Sequence, residues 1–281
     1  MIRKIDWSGK EMTVLLIILI LAGLYLLALR GRTGHMTLER LRGYKYAHRG
    51  LHNLSEGIPE NSLKGFDLAC QHGYGSELDV HLLADGGLGI MHDSNLQRTT
   101  GCEGRMEDLT VADLSGYHLQ GTEQTIPTLN EVLQTVNGRT PLIIELKTTG
   151  GNAEKLCETT CALLDGYKGL FCLESFDPRC ILWLKKHRPE LVRGQLSENS
   201  LPLRNTRVPL PLRFVMTADL ANFLTRPDFI AYDFKTRKNL SNFLCRRLWG
   251  IAGVSWTLRS REDYETAVQE GWIPIFEGFR P

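Results

Sequence analysis

The chain has no excess of either charge. Thirty-three Lys and Arg face 32 Asp and Glu in 281 residues, a formal net charge of +1. Binding a polyanion through the bulk field needs a basic surface. No basic stripe interleaved with aromatics is present, so nucleic acid is not indicated as a partner. The seven cysteines, at 70, 102, 157, 161, 172, 180 and 245, are odd in number and scattered, with no Cys-x-x-Cys. That argues against a disulfide framework. Cys157 and Cys161 share a helix face by spacing, but no His or Cys partners lie nearby in sequence, and they read as core thiols. Such cysteine usage fits a reducing compartment. There is no internal repeat, no low-complexity tract, and no glycine-rich phosphate loop after the first candidate strand.

What is present is ordinary for a globular protein: 42% hydrophobic and 23% charged residues. The length suits one large α/β domain or two small ones. One stretch stands apart. Met12 to Leu29 holds no charged residue and is dominated by Leu and Ile. Eighteen residues of helix span roughly 27 Å, close to the hydrocarbon core of a bilayer. A cleaved signal peptide has a shorter apolar region and a small-residue cleavage site, and neither fits here. The expectation is a single-pass anchor in the cell membrane over 12–29, after an N-terminal flank at 1–11. Arg3, Lys4 and Lys10 precede it, and Arg30, Arg32, Arg40, Arg42 and Lys45 follow it. The positive-inside rule then puts the main domain in the cytoplasm. Residues 30–43 read as a juxtamembrane linker and 44–281 as the main domain.

From Tyr44 onward, short apolar runs alternate with helical patterns, as in parallel βα units. Strands are expected at 46–47, 76–80, 142–146, 170–175, 191–196, 229–233, 253–256 and 273–276. Helices are expected at 61–72, with Asn61 as N-cap, and at 128–136, 153–164, 178–187, 217–224, 240–248 and 261–270. Eight strands with intervening helices suggest a (β/α)8 TIM barrel. Leu82 to His92 breaks the alternation. Asp85-Gly86 is a hairpin signal, and a parallel strand cannot follow so soon. This segment reads as a small hairpin excursion after strand two that returns His92 to the strand end. A doubly wound open sheet is the alternative fold.

The ends of the strand candidates carry the chemistry. His48 and Arg49 end the first, Glu77 and Asp79 the second, and Glu145 and Lys147 the one at 142–146. His92-Asp93 ends the hairpin. Alternation puts Glu77 with Asp79, and Glu145 with Lys147, on one side of their strands. Barrel active sites lie at this end. Clustered carboxylates are hard oxygen ligands for Mg²⁺ or Ca²⁺, and Arg and Lys suit phosphate. Two histidines can share acid and base roles. The kit is one for metal-assisted cleavage of a phosphate ester. Glu60 reads equally as a site residue or as part of the cap near Asn61. Lys147 reads equally as a phosphate contact or as the ion-pair partner of Glu145. Trp256 reads as a pocket wall or as core. His52 and His81 carry less weight, and His35, His72, His118 and His187 read as structural or solvated.

Taken in order, His48-Arg49-Gly50, Pro59-Glu60-Asn61-Ser62, Glu77-x-Asp79-Val80, His92-Asp93 and Glu145-x-Lys147 resemble the glycerophosphodiester phosphodiesterase family, in a membrane-anchored bacterial-type form. Ser175-Phe176-Asp177 and Trp256-Thr257 extend the resemblance, which covers roughly 44–281. Many members end the last strand with Thr-Asp-x-Pro, where this chain has Phe276-Glu277-Gly278-Phe279-Arg280-Pro281. Glu277 is the candidate substitute at that position and is assigned no site role.

The resemblance implies a TIM barrel and one divalent ion held by Glu77, Asp79 and Glu145, with Glu60 as a further candidate ligand. Arg49 and Lys147 would contact phosphate, and His48 and His92 would be the acid–base pair. The substrate glycerol hydroxyl would attack phosphorus, and a cyclic glycerol phosphate would then be hydrolysed. The products are glycerol 3-phosphate and an alcohol. Competing readings are a membrane-anchored lysophospholipase D acting on lysophospholipids, a non-catalytic phosphodiester-binding membrane protein, and a nuclease or cyclic phosphodiesterase on the same barrel.

Overall fold

The computed structural model describes residues 8–201 and 209–281. In chain order the helices are α1 (Gly9–Ala28), α2 (Met36–Leu41), α3 (Leu63–Gln71), α4 (Gln97–Thr100), α5 (Leu129–Val136), α6 (Ala153–Leu164), α7 (Pro178–His187), α8 (Leu210–Thr217), α9 (Asn222–Thr225), α10 (Leu240–Arg247) and α11 (Arg261–Gln269). The strands are β1 (Tyr46–Ala47), β2 (Gly75–Leu82), β3 (Leu88–Ile90), β4 (Leu142–Leu146), β5 (Phe171–Ser175), β6 (Arg193–Ser197), β7 (Phe229–Asp233), β8 (Ala252–Leu258) and β9 (Trp272–Phe276). Eight of them, all but β3, pair in parallel. β1 bonds both β2 and β9, which closes the barrel. The TIM-barrel expectation holds, and the open sheet is excluded by that closure.

β3 is the expected hairpin. It runs antiparallel to β2, with Val80 opposite Ile90 and Leu82 opposite Leu88. Gly86 supplies the left-handed turn residue, at φ 84°. After it, residues 94–127 form an insertion over the hairpin. Its own core holds Met91, Leu96, Met106, Leu109, Leu114 and Leu119. This compact piece has neither helical nor strand periodicity, so no pattern along the chain announces it.

Period-two alternation sorts the barrel interior into layers. Tyr46, Ile143, Cys172, Val192, Phe229, Ala252 and Ile273 form an apolar cluster with Leu38 and Leu41 of α2. Those strand residues lie near the strand starts, so α2 plugs the N-terminal end of the barrel. Two positions further along, the same face of β1, β4 and β5 meets the rim with His48, Glu145 and Glu174, while β7, β8 and β9 stay apolar there with Ala231, Val254 and Ile275. Gly194 is held to glycine by this packing: a Cβ there would stand 2.1 Å from the Phe229 ring.

The stretch at 30–43 connects α1 to the barrel without being a loose tether. Arg32 donates to both carboxylate oxygens of buried Asp228, at 2.5 and 2.6 Å. Leu29, Leu38 and Leu41 are buried. Two local expectations fail. The helix at 61–72 begins at 63, and its N-cap is Ser62, whose hydroxyl accepts from Gly65 N. Asn61 sits in the left-handed region at φ 54°. The helix at 217–224 is instead the end of α8 and a separate α9, because Asp219 at φ 52° turns the chain between them.

Candidate active site

The rim at the strand C-termini gathers the side chains that the alternation pointed inward. A cavity of about 150 Å³ is lined by His48, Arg49, Glu77, His92, Glu145 and Glu174, with Phe176, Trp256 and Arg259 on its walls. Glu77, Asp79 and Glu145 are buried, and one oxygen from each lies within 4.8 Å of the others. β2 and β4 set this directly, because Asp79 pairs in register with Glu145 and Glu77 with Ile143.

Lys147 Nζ lies 2.8 Å from Glu145 Oε1 and 3.1 Å from Asp79 Oδ1. Lys147 is therefore the ion-pair partner of both Glu145 and Asp79. Arg49, at φ 55°, turns its backbone N–H to Glu77 Oε2 at 3.2 Å. The next residue must be glycine. A Cβ on Gly50, at φ 79°, would lie 2.9 Å from the Gly65 carbonyl carbon. Asn61 was read as a helix cap, but its amide donates to Asp79 Oδ2 at 2.9 Å and fixes that carboxylate. Its left-handed backbone is what turns the side chain inward.

Glu60 stands outside the three-carboxylate cluster. Arg49 donates to Oε1 at 2.9 Å, and Arg98 donates to both oxygens at 2.7 and 3.0 Å. These two guanidiniums, working against the burial that would raise it, hold Glu60 below the ordinary carboxylate range. Glu60 is thus a clamp between arginines.

Each histidine is bound through Nδ1 to a carboxylate. His48 Nδ1 lies 2.5 Å from Glu277 Oε2, and His92 Nδ1 lies 2.6 Å from Asp93 Oδ1. An ionised carboxylate only accepts, so Nδ1 carries the proton and Nε2 is left free. His48 Nε2 is 3.8 Å from Glu77 Oε2. Burial pushes the His48 pKa down, with Arg49 adding to it and Glu277 opposing it. Burial also lowers His92, with Lys147 and Arg49 adding to it and Asp79 opposing. Burial thus favours the neutral ring in both, while the carboxylate on each Nδ1 favours the imidazolium formed when Nε2 takes a proton.

The sequence reading missed two acidic residues. Glu277 follows Ile273 and Ile275 at period two, so the alternation that placed Glu77 and Asp79 would also have placed it. Its carboxyl is held down to about 2; burial would raise it, but His48 and Arg259 win. Glu174 pairs in register with Glu145 and is buried, with Oε2 lacking a hydrogen-bond partner. Trp256 and Phe176 meet edge to face at 5.7 Å on the cavity wall. His52 lies in a neighbouring cavity with Glu277, and His81, whose Nδ1 bonds Glu107 at 2.8 Å, lines an adjoining cavity with His92, Glu145 and Lys147.

The electrostatics favour a cation in the cluster. Burial, followed by its acidic neighbours, pushes Glu77 and Glu174 well above the carboxylate range. Burial raises Glu145 to about 7, against the pull of Lys147. Asp79 goes the other way: Lys147, His92 and Arg49 overcome burial and keep it ionised. Three buried carboxylates in one cradle cannot all ionise without more positive charge. The donors are all hard oxygens, which fits Mg²⁺ or Ca²⁺.

A closed parallel barrel with such a rim is equipped for phosphoester chemistry. Residues 48–277 match the model of the glycerophosphoryl diester phosphodiesterase family. The chain belongs to that family. It is 36% identical over 109 residues to a glycerophosphodiester phosphodiesterase of Bacillus altitudinis, covering 36% of this chain and 43% of that protein. It is 34% identical over 239 residues to human glycerophosphodiester phosphodiesterase 1, covering 80% of this chain and 67% of the human protein. The chain thus spans less than half the length of the first of these relatives. Among solved structures, an Oleispira antarctica phosphodiesterase in complex with sn-glycerol-3-phosphate aligns over 83% of this chain and 92% of its own, at TM-score 0.67 and 23% identity. At that identity the likeness is one of fold.

Proposed function

We propose that this chain hydrolyses glycerophosphodiesters to glycerol 3-phosphate and an alcohol. One observation carries the proposal: two imidazoles, each fixed through Nδ1 by its own carboxylate, line one cavity with Glu77 and Glu145, which cluster with buried Asp79. Family membership supports the substrate class.

Glu77, Asp79 and Glu145 would hold one divalent ion, Mg²⁺ or Ca²⁺, which when bound offsets phosphoryl charge and makes a neighbouring hydroxyl more acidic. Arg49 and Lys147 would bind the phosphate. The Arg49 Nε has no hydrogen-bond partner in the site, which supports that role. One histidine, through Nε2, takes the proton of the glycerol hydroxyl as its oxygen attacks phosphorus. The bond from phosphorus to the alcohol oxygen breaks, and the other histidine, which enters this step as imidazolium, gives that oxygen its Nε2 proton. The roles then reverse. The first histidine returns its proton as water, deprotonated by the second, opens the cyclic glycerol phosphate. Each transfer of this kind contributes about 10²–10⁴-fold. Trp256 and Phe176 supply an apolar wall for the glycerol carbons.

α1 is proposed to be a retained single-pass anchor. Its last turn is built into the folded domain: Leu29 is fully buried, and Trp249 Nε1 donates to Leu26 O at 2.9 Å. A cleaved leader has no reason to be a packing partner. The basic residues after the span favour a cytoplasmic barrel. An anchored barrel is also suited to lysophospholipids, which is the second reading of the substrate.

The test is release of glycerol 3-phosphate from glycerophosphocholine by the full chain in detergent, with Mg²⁺ or Ca²⁺, with EDTA, and with His92→Ala. Release that needs both metal and His92 supports the proposal. Turnover unaffected by His92→Ala would sink it. Turnover only of micellar lysolipid would select the second reading.

A further inference from the structure

The flank of the barrel beside α1 carries a second surface that the proposed chemistry does not use. Leu29 O accepts from Asn222 Nδ2 and from Cys245 Sγ, and Tyr25 OH bonds Ser241 Oγ at 2.8 Å. Residues 25 and 29 of the anchor thus step along 241 and 245 of α10. Both are spaced by four, so the two helices run in the same direction there. The rest of α1 therefore extends past Leu240 at the start of α10. That end follows β7, on the side where the strands end and the cavity opens.

The surface met on this side is apolar with a cationic edge. α8 lies over the end of β6, with Ser197 Oγ donating to Met216 O at 2.5 Å and Ser200 N donating to Thr217 Oγ1 at 3.1 Å. It turns Leu210, Leu212 and Phe214 to solvent, at 63, 44 and 54% exposure. α10 does the same with Leu240 and Phe243, at 65 and 59%. Apolar side chains concentrated on two neighbouring helices are not scattered surface residues and mark an interaction site. Lys235 and Lys238, between β7 and α10, are exposed and make no ion pair among the described residues. Apolar residues edged by unpaired cations are what enters the interfacial layer of an anionic bilayer.

We infer that α8 and the start of α10 form a seat on an anionic lipid surface, holding the barrel against the bilayer with its rim toward the lipid. The inference rests on the anchor reading of α1, because continuity with that helix is what selects a bilayer over a soluble partner. A domain seated this way takes substrate from the membrane surface, and α1 fixes its orientation as well as its location.

The full chain is placed in vesicles of phosphatidylcholine and phosphatidylglycerol, with brominated acyl chains. Cys102 is replaced by serine, since the other six cysteines are buried. A polarity-sensitive fluorophore is then attached at Leu212→Cys, Phe243→Cys, Leu19→Cys or Lys168→Cys, the last on the loop entering β5 at the far end of the barrel. Labels at 212, 243 and 19 should lose at least half their emission to bromine, and the label at 168 none. Lys235→Glu with Lys238→Glu should weaken quenching at 212 and 243 while leaving 19 unchanged. Quenching at 19 alone overturns the seat and leaves the anchor. No quenching at 19 overturns the anchor reading and the seat with it. Shielding of 212 and 243 without a bromine effect would assign the surface to protein contact and overturn the lipid seat.

Discussion

The Nδ1 atom of His48, on the residue after β1, lies 2.5 Å from Oε2 of Glu277, on the residue after β9. Barrel closure alone makes them neighbours, since Tyr46 pairs with Ile275 and Ala47 with Phe276. Arg259 donates to both oxygens of the same carboxylate, at 3.3 and 3.2 Å. Glu277 therefore fixes the ring that exposes Nε2 to the cavity, and it favours the imidazolium formed when that nitrogen takes a proton.

Glu277→Gln should lower kcat by about 10–100-fold, the usual cost of losing an outer partner. Glu277 raises the His48 pKa against burial. Removing its charge should move whichever limb of the pH–rate profile belongs to His48 to lower pH. A profile with both limbs unmoved would mean that Glu277 is only a packing residue.

His48→Ala and His92→Ala should each cost about 10²–10⁴ in kcat, as expected for a lost proton-transfer group. Asp93→Asn should cost less, because the ring of His92 stays in place while its Nδ1 partner loses charge. Steady-state rates on one soluble diester separate the three variants. Equal losses for His92→Ala and Asp93→Asn would indicate that ring orientation, rather than proton transfer, dominates.

Mg²⁺ or Ca²⁺ should stabilise the fold. Binding at about a hundred times its Kd adds about 2.7 kcal/mol, which is read as a rise in Tm that EDTA reverses. Glu145→Gln or Asp79→Asn should abolish the rise, because each removes one of the three clustered oxygens. A wild-type Tm indifferent to both ions would remove the metal from the reading of this cluster.

Glu107 ties the insertion to the barrel. It accepts from Ser94 at 2.5 Å and Thr149 at 2.9 Å and bonds His81 Nδ1 at 2.8 Å. Burial would raise its pKa, but these bonds hold it down to about 2. The unfolded value is about 4.3, so the stabilisation is complete above that pH and is lost as pH falls toward the folded value. Glu107→Ala should destabilise by about 1–3 kcal/mol at neutral pH. The gap between variant and wild type should close in denaturant melts as the pH is taken down through that window. A gap that stays constant would assign the effect to packing.

The motif order and the period-two alternation made β1, β2, β4 and the hairpin to His92 legible in the sequence, and with them seven of the residues now lining or bordering the site. Asn61 was misread because Asn before an apolar run fits a helix cap as well as a left-handed corner, and only its φ distinguishes the two. Glu60 was left open for a similar reason. Its clamp partner Arg98 lies 38 residues away, in an insertion with no regular period. Glu174 and Glu277 obeyed the alternation, but a single carboxylate in a strand carries no mark until its neighbours in space are known.

Sequence by itself determined the membrane-length apolar helix, the eight-strand alternation and the polar strand ends that carry His48, Glu77, Asp79, Glu145 and Lys147. These are local properties: helix length, side-chain period and residue chemistry are written along the chain. Tertiary structure decided which groups meet. The parallel register of β2 with β4 brought three carboxylates to one cradle, and closure of β1 on β9 gave His48 its partner. Packing of Leu29 and Arg32 tied α1 to the barrel. Those relations depend on strand order, register and closure, and such long-range pairings leave no periodic trace in a linear sequence.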